Sequence, residues 1–159
     1  MARTVISVLD EDKLSYPSSA YAYGTVSAIT GKVKLTTFSV GSTYEMCVVP
    51  ADATVIGGHL TAENCDGHAT VSSKTFALDL GWQADPNGFG EFGAFRNDKA
   101  RGGTIEPIIH NQIGGVLASD GPKTFITDTI IEISVRVRQA SSSGITTPLV
   151  TVLLFCLRS

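Results

Sequence analysis

The chain has 159 residues, 43% hydrophobic and only 17% charged, with 12 Lys and Arg against 15 Asp and Glu for a net charge of −3. That length suits one domain with a proper core, and the slight acidity gives no electrostatic hold on phosphate backbones, which argues against nucleic acid as a partner. No run approaches the ~20 apolar residues of a spanning helix, so no membrane partner is expected, and a surface dressed by Ser, Thr, Gly and Asn suits lasting contacts with protein.

Residues 1–23 read as an extended N-terminal arm ahead of a body at 24–159. A short apolar piece, Val5, Ile6, Val8 and Leu9, is followed by LSYPSSAYAYG, where Pro17, three Tyr and small residues favour extended chain over helix. The arm either reaches a neighbour or frays with one edge strand. The apolar piece is too short for the core of a signal peptide. Cys47, Cys65 and Cys156 cannot all pair within one chain, so free thiols in a protein made in a reducing cytosol are the expectation.

From Gly24, GTVSAITG and KVKLTTFSV are two β-branched runs, and Gly31-Lys32 between them reads as a tight turn, with a bulge near Thr36. TYEMCVV alternates up to Pro50, which cannot donate to a ladder, and PADA turns into TVIGGHLTAEN. Inside that strand, Gly57-Gly58 marks either a bend or a close backbone neighbour. After a turn at 64–68, Phe76, Leu78, Leu80 and Trp82 alternate with Thr75, Ala77, Asp79 and Gly81. A strict period of two gives a strand with one wet and one buried face, so a second sheet or a subunit must cover four bulky groups.

The texture then changes. ADPNGFGEFGAFRNDKARGG reads as a long loop carrying Phe89, Phe92 and Phe95 at a spacing of three. A short helix over 91–99 would put the rings on one side, but Gly90 and Gly93 each weaken it by about 1 kcal/mol relative to Ala. TIEPIIHNQIGGVLAS reads as an irregular strand broken by Pro107 and Gly114-Gly115. TFITDTIIEISVRVRQ sets Ile131, Ile133, Val135 and Val137 against Glu132, Ser134, Arg136 and Arg138, a half-buried strand. LVTVLLFCL is apolar on both faces, so it belongs in the middle of a sheet or at an edge that a partner covers. About eight strands and almost no helix predict an all-β, antiparallel β-sandwich, with jelly roll the favoured topology for that count.

Chemistry is scarce. Cys65-x-x-His68 is the nearest approach to a metal pair, but no second pair completes a zinc site. Asp85 to Glu91 has the oxygen-rich look of a calcium loop without the D-x-[DN]-x-[DN]-G spacing. No GxSxG elbow or reactive-cysteine context is present, and Glu63 with Asp66 or Asp79 with Asp85 would be paired carboxylates only by accident of folding. Arg136 and Arg138 read as a solvated face. No cofactor and no enzyme activity are expected.

The run KLTTFSVGSTYEMCVVPADATVIGGHLTAEN, then TFALDLGWQADPNGFG, resembles the small structural proteins of tailed bacteriophages that decorate or cement the capsid. The shared pattern is a strand closing on Val49-Pro50, a V-I-G-G-x-L strand from Val55 to Leu60, an L-D-L-G-W strand from Leu78 to Trp82, and an Asp-Pro-Asn-Gly segment followed by an aromatic. It covers residues 33 to 92 and, with TDTIIEISVRV and the closing apolar strand, 126 to 157. The resemblance implies a sandwich that forms a small homo-oligomer, trimer or dimer, on the outer capsid surface and bridges subunits of the major capsid protein. On that expectation Phe89, Phe92 and Phe95 are contact anchors, while Val5, Ile6, Val8 and Leu9 add a strand or hook to a neighbour's sheet edge. The alternative is a receptor- or glycan-binding module of a phage tail fibre or spike, which would need an exposed ring.

Overall fold

The computed structural model describes residues 4–6, 26–36, 39–63, 65, 76–92, 108–137 and 149–158. Ten strands and one helical turn lie within them: β1 (Thr4–Ile6), β2 (Val26–Lys34), β3 (Ser42–Val49), β4 (Ala53–Glu63), β5 (Ala77–Trp82), β6 (Asp85–Phe92), β7 (Ile108–Gln112), α1 (Val116–Ser119), β8 (Lys123–Thr124), β9 (Thr129–Val137) and β10 (Leu149–Arg158). One sheet has the order β1-β3-β9-β5-β6. The other runs β2-β10-β4-β7, with β8 beside the start of β4. The chain is therefore an all-β sandwich, as the alternating runs predict.

The pairing is nested. β2 pairs with β10, β3 with β9, β4 with β7 and β5 with β6, all antiparallel. This is the pattern of one long hairpin, with its turn between β5 and β6, folded over so that alternate strand pairs fall in opposite sheets. The faces turned inward carry the core, in which Tyr44, Val55, Leu60, Phe76, Leu78, Leu80, Ile131, Ile133, Val152 and Leu154 are fully buried. Each large aliphatic removed from water in this way contributes about 1.5–3 kcal/mol. The Tyr44 hydroxyl enters the core without loss because it accepts the Thr36 N–H at 3.1 Å.

β9 and β10 both lie inside their sheets, with a neighbour on each side. β9 buries Ile131, Ile133 and Val135 between β3 and β5, while Val137 at its end is exposed. β10 lies between β2 and β4 and buries Val150, Val152, Leu154 and Cys156, leaving Leu153, Phe155 and Leu157 half-buried on the outer face. A strand apolar on both faces was expected in mid-sheet, and it is there.

Three local expectations are corrected. Gly31-Lys32 is not a turn: β2 runs straight through it, and Gly31 is needed because a methyl group there would run into the Met46 carbonyl of β3. The bulge expected near Thr36 falls instead in β3, between Glu45 and Cys47. The run from Thr124 is not one strand but two, because residues 125–128 cross from β8 in one sheet to β9 in the other. That crossing is pinned: Asp52 N–H donates to the Phe125 carbonyl at 2.7 Å, Phe125 N–H donates to the Ala53 carbonyl at 3.1 Å, and Ala51 N–H donates to Asp128 Oδ1 at 2.8 Å. The Gly57-Gly58 pair does both things expected of it. β4 bulges at Ile56, next to the pair and opposite the Phe155-Cys156 step, and a side chain at Gly58 would meet the Leu153 carbonyl.

Candidate functional site

The glycine-aromatic segment is where sequence and structure part. Residues 85–92 form β6, hairpin-paired with β5, rather than a loop or the start of a helix. Phe89 is 0% exposed and Phe92 6% exposed, so both rings serve this chain's own core and offer no contact surface. Phe89 packs edge-on against Trp82 and Phe125, with centroids 5.3 and 6.2 Å away, and Trp82 and Phe125 meet at 5.1 Å. The glycines make room for these rings: a Cβ at Gly88 would strike the Trp82 indole, and Gly90, at φ +129°, lies against the Phe92 ring. Phe95, Val8 and Leu9 lie outside the described residues, and Val5 and Ile6 lie on β1.

A groove of about 840 Å³ opens beside this cluster, lined among others by Glu45, Trp82, Lys123, Ile126, Ile130 and Glu132. Lys123 Nζ sits 5.4 Å from the Trp82 ring centroid and 5.9 Å from that of Phe125, a cation resting on aromatic faces. With Phe89, Phe125, Gly88 and Lys123 all against it, the Trp82 ring is not an open stacking platform. Ile126 is 85% exposed and Ile130 38% exposed. Ile126 thus stands in water beside Phe125, whose N–H and carbonyl are both hydrogen-bonded to the turn at 52–53, so the segment that presents it is held in place. The sequence reading missed it. Its signal was an isoleucine between Phe125 and Thr127-Asp128, which an unbroken strand reading absorbed.

The outer face of the β3-β9-β5-β6 sheet is polar. Thr43 and Ser134 share a hydrogen bond at 3.1 Å, and Glu45 pairs opposite Glu132. Arg136 Nε reaches Asp79 Oδ1 at 2.8 Å and its Nη1 lies 3.6 Å from Glu91 Oε2, so one guanidinium bridges two strands. Burial raises the Asp79 pKa, and the Arg136 charge only partly offsets this. Asp79 is thus tied to Arg136 rather than paired with Asp85, whose neighbour across the ladder is Trp82.

Asp85 to Glu91 is strand, not a calcium loop, and Asn87 Nδ2–H donates to Glu91 Oε1 at 2.9 Å. Among the described residues no group of three His, Cys, Asp or Glu is placed to hold a metal ion, and His68 lies outside them. Cys65 is buried, its thiol directed at the carbonyls of Glu63 and Leu149. Burial, with a smaller push from Cys156, raises the Cys47 thiol to about 12, and burial raises Cys156 to about 11. Both are protonated at neutral pH and inert as nucleophiles.

No protein-family profile matches the sequence, and no curated protein matches it either. Solved structures do. A chain of the capsid of Ralstonia phage GP4 superposes with a TM-score of 0.70 at 15% identity, covering 98% of this chain and 99% of that one. A chain of the cyanophage Pam1 capsid asymmetric unit gives 0.65 at 20% identity, over 91% and 92% of the two chains. A chain of the acidic stable capsid of Helicobacter pylori bacteriophage KHP30 gives 0.54 at 15% identity, over 87% and 92%. At these identities the likeness is one of fold, and it extends over nearly the whole of each molecule.

Proposed function

We propose that this protein is a structural component of a phage virion that decorates the outer capsid surface and cements it by bridging subunits of the major capsid protein. The observation that carries this reading is the match of 87–98% of this chain with 92–99% of a chain in each of three phage capsids. We also read the nested strand pairing as a jelly roll, and residues 1–23 as an arm on a body at 24–159.

The surface supports attachment rather than turnover. Ile126 and Ile130 supply an apolar anchor, and the groove floor supplies polar groups for a rim. A standard interface buries about 800 Å² on each partner. A small homo-oligomer engaging several capsid subunits at once gains further through effective concentration. The test is co-sedimentation of purified protein with undecorated capsids of a phage that encodes it. Binding with a raised temperature of capsid rupture is expected, and Ile126→Asp should weaken attachment by at least about tenfold while changing the unfolding free energy by less than ~0.5 kcal/mol, as for an exposed site. Failure of the unaltered protein to sediment with capsids overturns the reading.

A further inference from the structure

We propose that β1 is exchanged between copies of this chain, so that Thr4–Ile6 of one protomer completes the β3 edge of its partner. The inference rests on the homo-oligomer proposed above but not on its place in a capsid.

β1 differs from every other strand. It makes the one parallel pairing among the described strands, with Thr4, Val5 and Ile6 set against Ser42, Thr43 and Tyr44. A parallel neighbour cannot be joined by a tight turn, and here the whole of β2, in the other sheet, intervenes. Chain connection therefore gives this pairing little of the advantage that a hairpin has within its own chain.

The connection is also longer than an intrachain path requires. Ile6 pairs with Tyr44, and Gly31 of β2 touches Met46 of the same β3, so Val26 lies roughly 30 Å or less from Ile6 at ~3.3 Å per strand residue. Residues 7–25 can span up to ~65 Å when extended. The surplus is enough to carry β1 across to a neighbour.

The acceptor is a sheet edge, which presents unpaired N–H and C=O groups to any extended segment. With β1 removed, β3 becomes that edge, and Ser42, Thr43 and Tyr44, all buried in the structure, lose their cover on that side. Every copy brings both the strand and the slot. Exchange then costs no contact relative to closure within one chain, and it fastens the oligomer with main-chain hydrogen bonds.

Two chains of different tagged length, one carrying Val5→Cys and the other Thr43→Cys, are co-expressed in full, oxidised and run without reductant. These positions face each other in register, and the native Cys47, Cys65 and Cys156 are buried. A disulfide joining the two lengths is the expected result. If only a doubly substituted chain closes on itself and the mixed pair never joins, exchange is overturned, and the solution mass then says whether the oligomer stands without it. Should Thr43→Cys not fold, Thr4→Cys with Ser42→Cys gives the same comparison. As a second measurement, Val5→Pro with Ile6→Pro removes an N–H from whichever of two alternating residues faces β3. A fall in oligomer mass is expected, and an unchanged mass counts against the proposal.

Discussion

Truncating Phe89 separates the two roles this residue has been given. As a surface anchor, Phe89→Ala would leave the fold intact and weaken only attachment. The structure puts the ring at 0% exposure, edge-on to Trp82 at 5.3 Å and to Phe125 at 6.2 Å, so the substitution empties a closed site between the sheets. Phe→Ala in a core costs about 3–5 kcal/mol, a range that includes the ~0.5–1.5 kcal/mol carried by each aromatic pair. For a chain of this size, where 1 kcal/mol moves the midpoint by ~2–4 °C, the Tm should fall by about 6–20 °C. Out of a total near 5–15 kcal/mol, such a loss is severe. Trp82, the only tryptophan, touches Phe89 and reports the transition directly. Urea unfolding followed by its emission should show an earlier midpoint and a red-shifted native baseline. An unaltered midpoint would refute the placement of β6 in the core.

Three further outcomes follow from the geometry. Gly58→Ala should cost about 1–3 kcal/mol, because the new methyl group meets the Leu153 backbone. Its neighbour Gly57→Ala, with nothing nearer than the Phe155 ring at 3.9 Å, should stay within ~1 kcal/mol of wild type in the same denaturation assay. The Asp79 carboxyl titrates higher in the folded chain than in the unfolded one, so the folded state holds its proton more firmly and stability falls as pH rises through the carboxylate range. The stability of Asp79→Asn relative to wild type should therefore improve between acid and neutral pH, and a relative loss over that interval contradicts the sign. Native protein at pH 8 should leave Cys47 and Cys156 unmodified by a thiol reagent that labels both after unfolding, and their raised pKa values predict weakening as pH climbs from about 9 toward 11–12. Rapid labelling of folded protein would show that the two thiols are reachable.

What could be seen in the sequence was the periodic part. Alternation in Ile131, Ile133 and Val135 located β9, and the two-sided apolar run located β10 in mid-sheet, because a pleated backbone turns successive side chains to opposite faces. Glycine is what misled. Gly31, Gly88 and Gly90 read locally as punctuation, although each lies in a strand with something close against it: the Met46 carbonyl, the Trp82 indole and the Phe92 ring. Local composition cannot distinguish a glycine that turns the chain from one that admits a neighbour from across the fold. For the same reason Phe89 and Phe92 looked like loop anchors. The apolar side chain that does stand in solvent, Ile126, lies inside a run whose alternation looks continuous through the crossing from one sheet to the other.

The position of β10 has a consequence for biosynthesis. It enters between β2 and β4, both of which leave the ribosome well before it, so one layer of the body waits as two separated halves until nearly all of the sandwich has been translated. During that interval the slot destined for Val150, Val152 and Leu154 is open on both flanks, and any extended apolar segment from another nascent chain is a competitor for it. Closure of that layer then depends on how quickly β10 arrives as well as on how stable the finished sandwich is.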